Sequence, residues 1–529
     1  MSMPQSSLAG RRRSGLLIPL FAAQTANSWG IGDIGDLPHI TNWLAAAGQH
    51  VLQLLPLNEM ARGQHSPYSA ISAMAIDPIF IALPLVPEFA ALGGESLLSG
   101  EERRILARVR GSARIEYAAV RSLKEHALRL AFARFFEVEW RHDTPRARLL
   151  KAFLSEQAWW VEDYAIFRAI HTREQERPWL EWPEPLQRRE PGPIDLARRE
   201  LSREVLFQQY QQWVADRQWS DARRNGHGVA VFGDLPFMVD GDSADVWARQ
   251  DQFRLDASLG APPDAFSATG QDWGMPVYRW DAIVAQDFRW LRERARRSAA
   301  LYDGYRVDHL VGFYRTYGRS RATGESFFSP AGQQEQEVLG ERVLGILRGA
   351  ESEIIAEDLG TVPDFVRESL ARLGVPGFRV LRWERQWHTE GQPFRDPVDY
   401  PARSVAASGT HDTEPLMAWW EQASEADRRQ LSEIPTVRRL TNGEGILAAD
   451  AGRIRDVLLE ALFASGSNLL VLPIQDVFGW HDRINEPATV GEWNWTFRLP
   501  WACDRLDEVP EARARQETLR RWAEQYRRL

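Results

Sequence analysis

Residues 304–309 read Gly304-Tyr305-Arg306-Val307-Asp308-His309, a short apolar run closed by a carboxylate. Two later stretches share the design. Glu353-Ile354-Ile355-Ala356-Glu357-Asp358-Leu359 ends in acids, and the run 404–410 leads into His411-Asp412. Working outward in both directions, eight such runs occur: 14–21, 50–57, 229–236, 305–310, 353–359, 377–383, 404–410 and 468–474. Several are apolar almost throughout, the pattern of strands covered on both faces. Between the later runs lie segments of 3.6-residue periodicity. One is 361–373, with Pro363 near its start and Gly374 just past its end; another is 453–464. Eight strands alternating with helices predict an α/β fold, a (β/α)8 TIM barrel, with 1–529 forming a single catalytic barrel.

The stretch 85–225 interrupts the alternation between the second and third runs. Its segments 101–137, 144–172 and 200–224 carry helical periodicity, and the proline-rich 182–193 reads as a loop. The chain is therefore expected to be a barrel with an inserted, largely helical subdomain between strands 2 and 3.

Composition narrows the function classes. The 529 residues carry a net charge of −9, and the arginines are interleaved with acids instead of forming a basic run, which argues against a nucleic-acid partner. No window approaches the roughly 18 apolar residues of a membrane span. The single cysteine, Cys503, excludes an internal disulfide and a multi-cysteine metal site, and fits a reducing, cytoplasmic compartment. Arg11-Arg12-Arg13 followed by Leu16–Ala23 has the outline of a leader peptide; the proline at 19 and the need for a first strand favour a strand. The 22 tryptophans are a core resource and also suit sugar rings, whose C–H faces are apolar and whose rims are hydroxylated.

In a barrel the active site lies at the C-terminal ends of the strands. There the sequence places Asp308, Glu357 and Asp412, with Asp234 closing the third run. Side-chain alternation puts Arg306 and Asp308 on one face and turns Asp358 away from Glu357, toward a backbone or arginine contact. Two carboxylates about 5–5.5 Å apart, one ionised and one protonated, are the apparatus of a retaining glycosidase. Arg306 would keep Asp308 ionised, and apolar Ile355 and Ala356 would raise Glu357, making Glu357 the acid/base and Asp308 the nucleophile. A third carboxylate can bind hydroxyls and support transition-state charge. A strand-end aspartate by itself is equally a helix N-cap, and the Asp-His and Glu-Asp pairs could hold a hard divalent metal. Three such ends on one row of strands favour the catalytic reading, which requires no metal and no cofactor.

Longer strings are similar to a known family. They are Trp29-Gly30-Ile31-Gly32-Asp33-Ile34-Gly35-Asp36, Ser66-Pro67-Tyr68-Ser69, Gly233-Asp234-Leu235-Pro236, Asp242-Ser243-Ala244-Asp245-Val246-Trp247-Ala248, Gly260-Ala261-Pro262-Pro263-Asp264, Phe266-Ser267-Ala268-Thr269-Gly270-Gln271, Trp273-Gly274, Pro473-Ile474-Gln475-Asp476-Val477, Arg483-Ile484-Asn485 and Asn494-Trp495. With the carboxylate strings, they resemble the 4-α-glucanotransferases (amylomaltases) of glycoside hydrolase family 77, over most of the chain and most weakly across 90–200.

The resemblance implies α-1,4-glucans and maltooligosaccharides as donor and acceptor; protein partners are not readable. It implies Asp308 as nucleophile, Glu357 as acid/base and Asp412 as transition-state stabiliser. Arg306, His411, Asp234, Tyr68, His309 and Asn485 would line the cleft, with Gln271 and Trp273 on a substrate-covering region, 242–280. The loops 261–273 and 475–485 would decide between sugar and water as acceptor.

Four places depart from the family pattern: Met275, Thr413-Glu414-Pro415, Leu310-Val311 and Ile76-Asp77-Pro78. They bear on acceptor preference and product size. The nearest alternative is an α-amylase-like hydrolase on the same barrel; a glucan-binding protein with a dead site and a metal-dependent barrel hydrolase stand further off.

Overall fold

The computed structural model describes residues 11–263, 269–487, 489 and 491–529. Eight parallel strands close into a barrel. In chain order they are β1 (Arg13–Leu17), β2 (Val51–Gln53), β3 (Ala230–Leu235), β4 (Gly304–Val307), β5 (Glu353–Ala356), β6 (Gly377–Val380), β7 (Ser404–Ala407) and β8 (Leu469–Pro473). Each pairs with its sequence neighbours, and β1 closes on β8 through Arg13↔Leu469 to Leu17↔Pro473. Every apolar run overlaps one strand, with β1 and β4 each starting one residue before its run. The paired segments are shorter than the runs because the strand ends splay into loops on the site face; β2 keeps only three residues of 50–57.

Register sets the site. Asp234 lies opposite Arg306, and Val307 opposite both Leu235 and Ala356. The ladder runs one step beyond the strands: Asp308 N–H donates to Leu235 O (3.1 Å) and Glu357 N–H to Val307 O (3.0 Å). The first residues past β4 and β5 are thus the two carboxylates, held by neighbouring backbones. Glycines allow close packing of the wall: a Cβ on Gly233 would lie 2.3 Å from the Tyr302 ring, and one on Gly377 would lie 2.3 Å from Asp358 Oδ2.

Helices cover the outside: α1 (Leu37–Ala46), α2 (Gly100–Gly111), α3 (Tyr117–Phe135), α4 (Pro145–Arg173), α5 (Pro191–Glu200), α6 (Ser202–Arg224), α7 (Arg289–Leu301), α8 (Gln333–Arg348), α9 (Asp364–Leu373), α10 (Ala451–Phe463) and α11 (Pro510–Gln525). The helix expected over 361–373 begins at Asp364, because Pro363 is its extended N-cap residue; Gly374 ends it at φ 69°.

Three expectations are corrected. The helical segment 101–137 is two helices: α2 stops at Gly111, Ser112 is extended (ψ 139°), and α3 starts at Tyr117. The loop expected over 182–193 holds a short helix, Glu184–Gln187, and the start of α5 at Pro191, since proline is at home in a helix's first turn. Within 242–280 lies β structure that the sequence reading missed. Ala257–Ala261 pairs with Gln271–Asp272 and with Thr316–Ser320, which pairs with Ser326–Ser329, while Phe253–Arg254 pairs with Val277–Tyr278. Three of these strands are only two residues long and the other three carry glycine or serine, so they lack a legible two-residue period.

The motif residues Asp264, Phe266, Ser267 and Ala268 lie outside the described residues. Among the described residues, no helix is long and apolar enough to cross a membrane. Cys503 is buried, with its Sγ 4.0 Å from the carbonyl of Asp36.

Candidate active site

Arg306 is the centre of the site. Its strand position buries it, and burial of a guanidinium demands compensating charge. Nη1 meets Asp234 (2.9 and 2.7 Å to the two oxygens), Asp308 Oδ1 (2.8 Å) and the Tyr68 hydroxyl (3.4 Å). Nη2 is 3.9 Å from Glu357 Oε2. One cation therefore lies among three carboxylates from β3, β4 and β5. Among the described residues, no group of three or more His, Cys, Asp or Glu side chains is arranged to hold a metal ion; the positive charge here is the guanidinium.

The four carboxylates of the site differ in environment. Burial, reinforced by the charge of Asp308, pushes Glu357 up to about 7, against the pull of Arg306 and of two backbone N–H donors. Those donors are His309 N (2.8 Å to Oε2) and Leu359 N (3.1 Å to Oε1). Burial raises Asp234 to about 6, opposed by Arg306, His411 and Tyr68. Asp412 goes the other way. Burial would raise it, but His411, Asn485 and Arg306 outweigh burial and hold it at about 2. Asp308 takes a long contact, 3.4 Å, from Phe237 N–H beside its ion pair with Arg306.

Asp412 stands on the loop after β7. His411 Nε2 lies 3.1 Å from Asp412 Oδ2, and Asn485 Nδ2 donates to Oδ1 at 2.7 Å. The Tyr68 hydroxyl donates to Asp234 Oδ2 (2.7 Å) and lies 3.1 Å from His411 Nε2, with the two rings stacked at 5.5 Å. Burial and the charge of Asp234 raise the phenol well above its ordinary range, so it remains a donor. The structure thus joins Arg306, Asp308, Glu357, Asp234, Tyr68, His411, Asp412 and Asn485 in one constellation of hydrogen bonds and ion pairs.

His309 and Trp273 form a second group. His309 is left-handed (φ 43°), a conformation costing about 1–3 kcal/mol in a bulky residue and concentrated at functional sites. It turns its backbone N–H onto Glu357. Its imidazole is desolvated and held down at about 4, hence neutral, and lies edge-on to Phe237 (5.6 Å) and Trp273 (4.9 Å). Trp273 Nε1 donates to Gln271 Oε1 at 3.0 Å, so the two covering-region residues are joined to each other and, through the Trp273 ring, to His309.

Other side chains fall outside this group. Asp358 points away from Glu357: its Oδ1 accepts from Phe378 N (2.7 Å), and Arg367 and Arg379 face its Oδ2. His65 stacks on Tyr117 (4.9 Å), a loop contact, and His481 meets Glu421 at the surface.

Sequence reasoning gave no role to three contributors. Trp495, left-handed at φ 65°, packs on both Tyr68 and His411 and accepts a hydrogen bond from Tyr117, linking α3 to the cleft. Arg483 donates to the carbonyl of Asp412 (2.9 Å). Both belong to quoted strings and were open to assignment. The N–H of Phe237 acts through the backbone, for which a sequence carries no signal.

A family model described as 4-alpha-glucanotransferase matches residues 18–504. The 4-alpha-glucanotransferase of Thermus thermophilus is 32% identical over 513 residues, 92% of this chain and 94% of its own. That of Synechocystis is 32% identical over 507 residues, again 92% and 94%. Among solved structures, an amylomaltase from Streptococcus agalactiae in complex with acarbose superposes with a TM-score of 0.82 at 27% identity, covering 98% of this chain and 100% of that one.

Proposed function

This chain belongs to the 4-alpha-glucanotransferase family, glycoside hydrolase family 77, and transfers α-1,4-glucan segments; we propose that Asp308, Glu357 and Asp412 carry out the transfer. The hydrolase reading is not favoured, since the family and these relatives carry the transferase name.

Asp308 attacks the anomeric carbon of the donor while Glu357 gives its proton to the departing 4-oxygen. The donor's reducing-end fragment leaves, and a covalent glycosyl-enzyme remains. Glu357, now ionised, takes the proton of an acceptor 4-hydroxyl, which displaces Asp308; two inversions retain the configuration. Asp412 faces the positive charge that develops on the ring. Asp234, Tyr68, Arg306 and His411 take the hydroxyls of the sugar undergoing cleavage. Gln271 and Trp273, on 242–280, and His309 beneath them serve the acceptor side. The 85–225 segment forms one wall of the cleft through the contact between Tyr117 and Trp495. The single buried thiol, Cys503, supports a cytoplasmic assignment.

The observation that carries this reading is the split between two acids that share the influence of Arg306: Glu357 is raised to about 7 and Asp412 held at about 2, so a proton donor and an anion coexist near neutral pH. Incubation with pure maltotriose tests it. The reading requires free glucose together with a ladder of longer glucans, both lost in Asp308→Asn. Glucose and maltose without longer chains would replace transfer by hydrolysis. Saturable binding without turnover would leave only a glucan-binding protein.

A further inference from the structure

The string Thr413-Glu414-Pro415 follows Asp412, and its charged member is not idle. Glu414 Oε2 lies 3.0 Å from Arg382 Nη1, just past β6, and Glu414 Oε1 lies 3.3 Å from Arg483 Nη1, on the loop after β8. Arg382 is fixed in turn: Nη2 donates to the carbonyl of Glu414 (2.7 Å), and the guanidinium lies over the Trp419 ring at 5.0 Å. Arg483 then spends its other donors on the catalytic loop. Nη2 reaches the carbonyl of Asp412 (2.9 Å), and Nε the carbonyl of Asn485 (3.3 Å), whose side chain grips Asp412 Oδ1. An Arg-Glu-Arg chain thus crosses the loops after three consecutive strands and ends on the backbone and the amide partner of one carboxylate.

We infer that Arg483, oriented by Glu414, is a positioning residue that sets the carboxylate of Asp412 against the reacting ring. The inference rests on the transition-state role proposed above for Asp412. Arg483 touches no reacting atom; it fixes the peptide of Asp412 and the peptide of Asn485 with one planar fork, a geometry lysine cannot reproduce. The local turn is already closed by Thr410 and Thr413, whose hydroxyls bond within the loop, and by Asp476, which accepts from Leu416 N. Loss of Arg483 therefore leaves the loop folded but frees the orientation of Asp412. Glu414 keeps Arg382, so no buried charge is orphaned.

The test is a double-mutant cycle on the full-length enzyme, with α-maltotriosyl fluoride as donor and maltose as acceptor. The fluoride leaving group keeps slow variants measurable. Arg483→Met is expected to lower kcat by about 10–100-fold with KM changed less than about threefold. Arg483→Lys and Glu414→Gln should fall between, because each keeps one of the contacts. In an Asp412→Asn background the Arg483→Met substitution should cost less than about twofold, since the group it orients is already disabled. Equal costs in both backgrounds would overturn the inference, as would a loss confined to KM. If Asp412→Asn by itself leaves kcat unchanged, the role of Asp412 fails, and the inference fails with it. Thermal unfolding of each variant separates lost orientation from lost folding; should Arg483→Met not fold, Arg483→Lys in the same cycle decides.

Discussion

At the scale of single residues the chemistry depends on carboxylates that titrate apart. Glu357 must enter the cycle protonated. Its raised value, about 7, means the acid form prevails below neutrality and is lost as pH rises through that point. Transfer from maltotriose should therefore fall about tenfold per unit on the basic side of about pH 7. Glu357→Gln should cost at least about 100-fold on this substrate and abolish the basic limb of the activity that remains. A limb that persists in that variant would assign it to another group. Asn485 supplies a different check. Its amide donates to Asp412 at 2.7 Å, so Asn485→Ala should reduce kcat by about tenfold through the lost charge-assisted bond. An effect confined to KM would instead make it a sugar contact alone. At this scale the sequence was informative where function sits on a side chain: Asp308, Glu357 and Asp412 stand out as polar ends of apolar runs. It was silent where function sits on the backbone, as with the N–H groups of His309 and Phe237.

Elements place those residues. The eight runs were legible because a strand buried on both faces must be apolar almost throughout, as Leu469–Pro473 is. The antiparallel strands Ala257–Ala261 and Thr316–Ser320 were not, because glycine and serine erase the period that marks a half-buried strand. Gly111-Ser112 was a legible break that helical periodicity on both sides obscured. The barrel wall itself can be probed at β6. Gly377→Ala would set a Cβ 2.3 Å from Asp358 Oδ2, whose other oxygen is fixed by Phe378 N–H. Overpacking of this kind costs about 1–3 kcal/mol. Thermal unfolding should show a lowered midpoint, whereas an unchanged midpoint would mean that the wall relaxes freely there.

For the whole molecule, barrel and insertion are joined by buried charge. Lys124, one of two lysines in the chain, reaches from α3 to Asp33 Oδ2 (3.1 Å) and to the carbonyls of Ile79 (2.7 Å) and Ile81 (3.0 Å). At the opposite end Arg528 closes the barrel floor, its guanidinium donating to carbonyls of Arg13, Phe463, Ser465 and Ser467. Removing one partner of a buried pair strands the other, so Lys124→Met should destabilise by about 3–5 kcal/mol. Adding Asp33→Asn should recover part of that loss in denaturant unfolding; no recovery would place the cost in packing. These connections hold the strand ends in register, and register is what brings Asp308 and Glu357 to one guanidinium. The most direct test is to trap the covalent intermediate. Glu357→Gln is mixed with α-maltotriosyl fluoride, which needs no acid to leave but leaves the enzyme without a base to release the sugar, and the protein is digested and mapped by mass spectrometry. A maltotriosyl group on the peptide bearing Asp308, at Asp308 itself, is the expected result. The label on Asp234 or Asp412, or turnover with no labelled peptide, would contradict the assignment.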